Sequence, residues 1–220
     1  MPKQPVSPAT SSNVERRSRD ADRSREAILD AAEQLFADHG YLGASLQDIG
    51  DAAGVSRGTP SYFFGSKEGV YRAVLERIFS GVSELIRREL EEAVGRNEGP
   101  EAVFAREIEG YIGFLAERPN FVRLLQWEAL SGDEVLANLT ARLSVLRETE
   151  RVIREESARG AFREIDPGHL MLNIIALCWY PFSQQQSLMK VIGKDAYDPA
   201  FVERHKKAVV QLVLDGIRIH

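Results

Sequence analysis

The chain has one cysteine, Cys178, in 220 residues. That excludes a disulfide framework and any zinc site built on cysteines. The four histidines, His39, His169, His205 and His220, form no arrangement with one another or with carboxylates that would hold a metal. No Gly-rich phosphate loop follows a strand, and neither a Gly-x-Ser-x-Gly elbow nor an HExxH pair occurs. No catalytic constellation and no cofactor motif is present, so an enzyme is not expected. No stretch alternates strictly between apolar and polar as a half-buried strand would. The most apolar run, Leu170–Phe182, contains Asn173 and Pro181 and is shorter than the roughly 20 residues a spanning helix needs. The N-terminus has no apolar signal core, so a cytoplasmic protein away from membranes is expected. Positive charge is also short. There are 28 Lys+Arg against 33 Asp+Glu, a net charge of −5. At first sight that balance argues against nucleic acid, whose phosphates require local positive charge.

What the chain does have is helical period, with 44% hydrophobic residues to build a core. Residues 1–23 read as a disordered basic arm: Pro2, Pro5 and Pro8 sit among small polar residues, followed by Arg16, Arg17, Arg19 and Arg23. Beyond it, Ile28, Ala31, Ala32, Leu35 and Phe36 recur at the three-four spacing of one helix face. Gly40 is suited to the left-handed position that closes this helix. Ser45 stands three residues before Asp48, as in a capping box. Ser56 is the next cap candidate, opening a short helix to about Phe63, and Ser66 caps a long one. Pro100 and Pro119 sit at helix starts, and a charged helix is expected over about 133–159. Asp166-Pro167 and Asp198-Pro199 open two last helices, roughly 167–189 and 199–218. The fold class is all-α.

Residues 45–63 carry the most information. Two short helices meet at Gly54-Val55-Ser56, the outline of a helix-turn-helix whose second helix enters a DNA major groove. Gly54 supplies the turn, and Gly50 is small where the helices approach. Ile49, Ala53 and Val55 fill the space between them.

The residues from Arg25 to Leu75 resemble the DNA-binding domain of the TetR family of bacterial transcriptional regulators. The blocks ILDAA-x-x-LF, the Gly-Tyr spacer, D-I-x-x-A-A-G-V-S-x-G-T and F-G-S-K-E stand in the family's order and spacing. The resemblance implies three parts: the arm at 1–23, a helix-turn-helix domain at 24–76, and a ligand-binding and dimerisation domain at 77–220. It also implies a double-stranded operator, a homodimer, a small-molecule effector and, by family habit, repression. Arg57, Thr59, Ser61 and Tyr62 then fall at recognition-helix contacts, with Ser45 and Lys67 at phosphates. This sequence departs from the family where Leu-Tyr-Tyr-His-Phe usually follows Gly-Thr. Here it reads Pro60-Ser61-Tyr62-Phe63-Phe64, which points to a late or distorted helix start.

In the second domain, Tyr111, Trp127, Glu128, Trp179 and Tyr180 are candidates for an effector pocket. Leu170, Ile174, Leu177, Val209, Val210, Val213 and Ile217 are candidates for the dimer face, because one subunit would struggle to cover them. Two other classes compete: a helical interaction module, and a small-molecule-binding enzyme that does not bind DNA. The charge objection weakens on inspection. Residues 1–80 hold ten Lys/Arg against eleven acids, so the positive charge that matters is local, in the arm and at Arg57 and Lys67.

Overall fold

The structure, a computed structural model, describes residues 9–95, 99–131 and 144–218. Every regular element among them is helical. The chain separates into two compact units, the first ending at Val74 and the second beginning at Leu75.

The first unit contains α1 (Ala9–Gly43), α2 (Leu46–Ala52), α3 (Thr59–Phe64) and the opening turns of α4 (Lys67–Gly95). Its core is the predicted face of α1, with Ile28, Ala32 and Phe36 buried against Ile49, Val70 and Tyr71. The Tyr71 ring meets Phe36 edge-on at 4.9 Å. The expectation of a disordered arm over 1–23 is corrected: α1 is already helical from Ala9, and residues 1–8 lie outside the described ones. Residues 16–20 are exposed, so packing does not hold them. Local bonds do: Ser24 Oγ donates to the Asp20 carbonyl at 2.9 Å, and Arg23 lies 4.0 Å from Asp20. Extending an existing helix avoids the nucleation cost, so the packed turns near Ile28 carry the polar ones. Gly40 breaks the far end with φ 69°, a conformation glycine adopts without strain.

α2 opens on the predicted capping box. The Asp48 amide donates to Ser45 Oγ, and the Ser45 amide donates to the Asp48 carboxylate, both at 3.2 Å. Gly54 turns the chain at φ 66°. A Cβ on Gly50 would stand 3.4 Å from Arg57 Cα, which is why that position is small. Ser56 does not open α3; the helix begins at Thr59, whose amide donates to the Ser56 carbonyl at 2.9 Å. Pro60 then falls in the first turn, where its missing N–H leaves no bond unmade.

The second unit holds the rest of α4, then α5 (Pro100–Glu117), α6 (Pro119–Ser131), α7 (Ser144–Ala158), α8 (Pro167–Ser183) and α9 (Pro199–Ile217). The prolines open their helices as the sequence predicts. Asp166 and Asp198 cap α8 and α9, accepting from the amides of His169 at 2.7 Å and Phe201 at 2.9 Å. Of the charged helix expected over 133–159, α7 is the described part; residues 132–143 lie outside it. α5 is the central helix, packed by α9, α8 and α6. Its Phe104, Ile108, Ile112 and Leu115 are buried, with Leu124 of α6 and Ile153 of α7. Phe121 of α6 sits edge-on to Phe79 at 5.7 Å and to Phe114 at 5.3 Å.

The single helix expected over 167–189 is corrected as well. α8 ends at Ser183, and a wide π-helical turn follows over Gln185–Met189. Pro181 lies inside α8 and has no N–H to give the Leu177 carbonyl. His205 of α9 supplies the donor instead, its Nε2 standing 3.1 Å from that oxygen. Burial holds the imidazole below its usual pKa, which favours the neutral ring that this bond uses.

Candidate functional site

The first unit presents a short exposed helix on a packed support. On α3, Tyr62 is 84% exposed and Ser61 is exposed beside it, with Arg57 in the preceding turn. Phe63 and Phe64 on the other side are partly covered. The Arg25 guanidinium lies over the Phe64 ring at 5.2 Å, so Arg25 braces α3. Arg57 Nε stands 3.7 Å from Asp51, with both side chains largely in solvent. An exposed pair of that length is worth little, which leaves the guanidinium available to a phosphate or a guanine edge. Thr59 Oγ1 is 2.7 Å from Ser56 Oγ, so its hydroxyl already serves the helix start.

Two expected phosphate contacts are engaged within the protein. Ser45 Oγ lies 2.6 Å from the Asp48 carboxylate, so the anion position at the start of α2 holds the protein's own anion. Lys67 Nζ donates to the carbonyls of Tyr41 at 2.9 Å and Ala44 at 3.1 Å, and lies 4.3 Å from the Tyr41 ring centre. Two of its three donors therefore fasten the α1–α2 connection to α4.

In the second unit the expected pocket residues do not stay together. Glu128 is buried at 4% exposure, and Tyr111 and Trp179 are partly covered. Trp127 and Tyr180 are exposed, at 40% and 53%, so neither belongs to a covered pocket. Trp127 lies off the buried row Phe121–Leu124–Glu128, and Tyr180 falls on the outward row of α8. A cleft of about 660 Å³ does lie between α4, α5 and α9, walled by Arg118, Lys206, Glu109 and Glu117 among others. None of the five expected residues lines it. Cys178 is buried, and burial pushes its thiol up to about 12, so it is an unreactive neutral group.

The expected dimer face is corrected too. Leu170, Val209, Val213 and Ile217 are at most 5% exposed within one chain, because α5 and α8 cover α9. Ile174, Leu177 and Val210 are partly covered. The large apolar residues left in solvent on α8 and α9 are Leu172, Tyr180 and Leu212. They sit one helical step away from the predicted set.

Sequence reasoning missed Glu107. Burial pushes its carboxyl up to about 7. The signal was available, since position 107 lies between Phe104 and Tyr111 on the apolar stripe of α5. Among the described residues no group of three or more His, Cys, Asp or Glu side chains could hold a metal ion. No described helix is long and apolar enough to cross a membrane.

The family description "Bacterial regulatory proteins, tetR family" matches residues 28–74. "Tetracyclin repressor-like, C-terminal domain" matches residues 100–213. The HTH-type transcriptional regulator RutR of Escherichia coli is 30% identical over 205 residues, covering 92% of this chain and 94% of that protein. The HTH-type transcriptional repressor NicS of Pseudomonas putida is 28% identical over 214 residues, covering 92% and 96%. Among solved structures, the fatty acid degradation regulator FadR of Bacillus halodurans superimposes with a TM-score of 0.68. It is 26% identical, over 88% of this chain and 99% of that one. Matched in both halves and along nearly its whole length, this chain belongs to the TetR family of bacterial transcriptional regulators, DNA-binding proteins and not enzymes.

Proposed function

We propose that this regulator works in the cytoplasm as a homodimeric repressor on a palindromic operator, released by a small-molecule effector. The observation that carries the DNA-binding mode is the exposure of Tyr62 and Ser61 on α3 while the rest of the unit is packed. An aromatic side chain 84% in solvent contributes nothing to folding, and at this position it can reach a phosphate or a base. Arg57 supplies positive charge at the mouth of the same helix. Two such helices would occupy successive major grooves about 34–36 Å apart. Thr59 and Ser45 act by holding helix starts, and Lys67 by holding the support.

The test is fluorescence anisotropy with the DNA upstream of the chain's own gene, against a scrambled duplex, at several salt concentrations. Arg57→Ala and Tyr62→Ala are each expected to weaken specific binding by about 1–3 kcal/mol, roughly five- to a hundredfold. Equal affinity for both duplexes, with neither variant altered, would sink the proposal.

The dimer is proposed to close through the outward rows of α8 and α9, with Leu172, Tyr180 and Leu212 at its centre. Leu172→Glu combined with Leu212→Glu should leave a folded monomer in sedimentation at micromolar concentration, with operator affinity lost. A double variant that still sediments as a dimer places the interface elsewhere.

A further inference from the structure

Two polar side chains on the covered side of α5 lack the partners that buried groups ordinarily have. Glu107 and Tyr111 stand one helical turn apart, on the side of α5 that also carries buried Phe104, Ile108 and Phe114. Among the described residues neither has a hydrogen-bond or ion-pair partner. Both keep some accessible surface, so the carboxyl and the phenol remain reachable from outside.

Their surroundings define what could satisfy them. Burial raises the Glu107 carboxyl to about 7. Burial and the nearby Cys178 thiol raise the Tyr111 phenol. Cys178, with its thiol up at about 12, stays neutral and brings no positive charge. Nearby walls are aromatic: Phe114 follows Tyr111 on α5, and Trp179 follows Cys178 on α8, with its ring 6.3 Å from Phe121. A desolvated carboxylate attracts a cation, and aromatic rings favour one further. An anion would meet repulsion from Glu107, and a neutral ligand would leave its charge uncompensated.

We infer that Glu107 and Tyr111 form the polar end of the effector site, and that the effector is a small flat organic cation with N–H donors, of amidinium type. Glu107 would accept its N–H groups and supply the opposite charge, and Tyr111 Oη would fix its edge. This rests on the effector-responsive reading above and adds the ligand's chemistry to it.

The experiment uses the full-length protein and three probes of one shape: benzamidinium, benzamide and benzoate. Calorimetry and thermal shift should show benzamidinium binding, benzamide binding at least about tenfold more weakly, and benzoate not binding. Glu107→Gln, nearly isosteric, should weaken benzamidinium by at least about tenfold, with Glu107→Asp retaining part of the affinity. Tyr111→Phe should weaken it by less. Failure of benzamidinium to bind, benzoate binding as well as benzamidinium, or unchanged affinity in Glu107→Gln would each overturn the inference. Operator binding by the unaltered protein is scored separately. Its absence would defeat the regulator reading while leaving the cation result standing.

Discussion

Gly69→Ala should loosen the end of the recognition helix and lower operator affinity without touching a residue that faces DNA. Gly69 lies in the first turn of α4, its amide donating to Ser66 Oγ at 3.1 Å. A Cβ there would stand 2.0 Å from the Phe64 carbonyl oxygen and 3.1 Å from its carbon. The neighbour is backbone, so no side chain can swing aside. Either α4 loses its cap or the end of α3, which carries Ser61 and Tyr62, moves off by about an ångström. Overpacking of this kind costs about 1–3 kcal/mol, and more where backbone must shift. The thermal midpoint should drop by several degrees, with operator affinity at least about tenfold weaker. Gly58→Ala serves as the control for stability. No atom lies within 4 Å of its Cβ position, and its φ of −81° suits any residue. Its melting point is expected to stay within about 0.5 kcal/mol of the parent. A Gly69→Ala protein that melts and binds like the parent would show that α3 and α4 do not meet this closely.

Glu107→Gln is expected to stabilise the protein at pH 8 and to do little at pH 5. Burial raises the folded-state carboxyl from an ordinary 4.5 to about 7. The folded chain therefore holds this proton more tightly than the unfolded chain. The side chain's stabilising contribution is complete below about pH 4.5 and declines as pH rises through 7. Above that, the folded state carries a desolvated charge that the unfolded state hydrates freely. The linkage amounts to about 1–3 kcal/mol once the side chain's remaining contact with solvent is allowed for. Urea melts of parent and variant at the two pH values give the comparison directly. Parallel curves at both would mean that the carboxyl is better solvated than its position suggests.

Local chemistry made most helix starts legible from residues alone. A proline in the first turn and an Asp before it fix α8 and α9 whatever packs around them. The Ser45–Asp48 box does the same for α2. The choice between two apolar faces was not local. α8 is apolar on both sides, with Leu170, Cys178 and Phe182 on one and Leu172, Ala176 and Tyr180 on the other. Periodicity identifies the rows, but only the position of α5 decides which row is inside. The helical stretch before Arg23 escaped notice because composition describes what a segment could do alone, and this one is extended from a packed neighbour. Glu107 was passed over because its spacing marked it as core while its charge marked it as surface. That conflict was the signal.

Pro181 and His205 make one further point. A proline leaves a gap in its own helix, and here a residue 24 positions later fills it from another helix. The value of each residue therefore depends on the other. With Pro181 in place, removing the imidazole strands the Leu177 carbonyl; with alanine at 181, the backbone would restore its own bond and the imidazole would become dispensable. Changing one position at a time would rank His205 as indispensable and Pro181 as a flaw. Only changing the two together reveals a single repair written in two places.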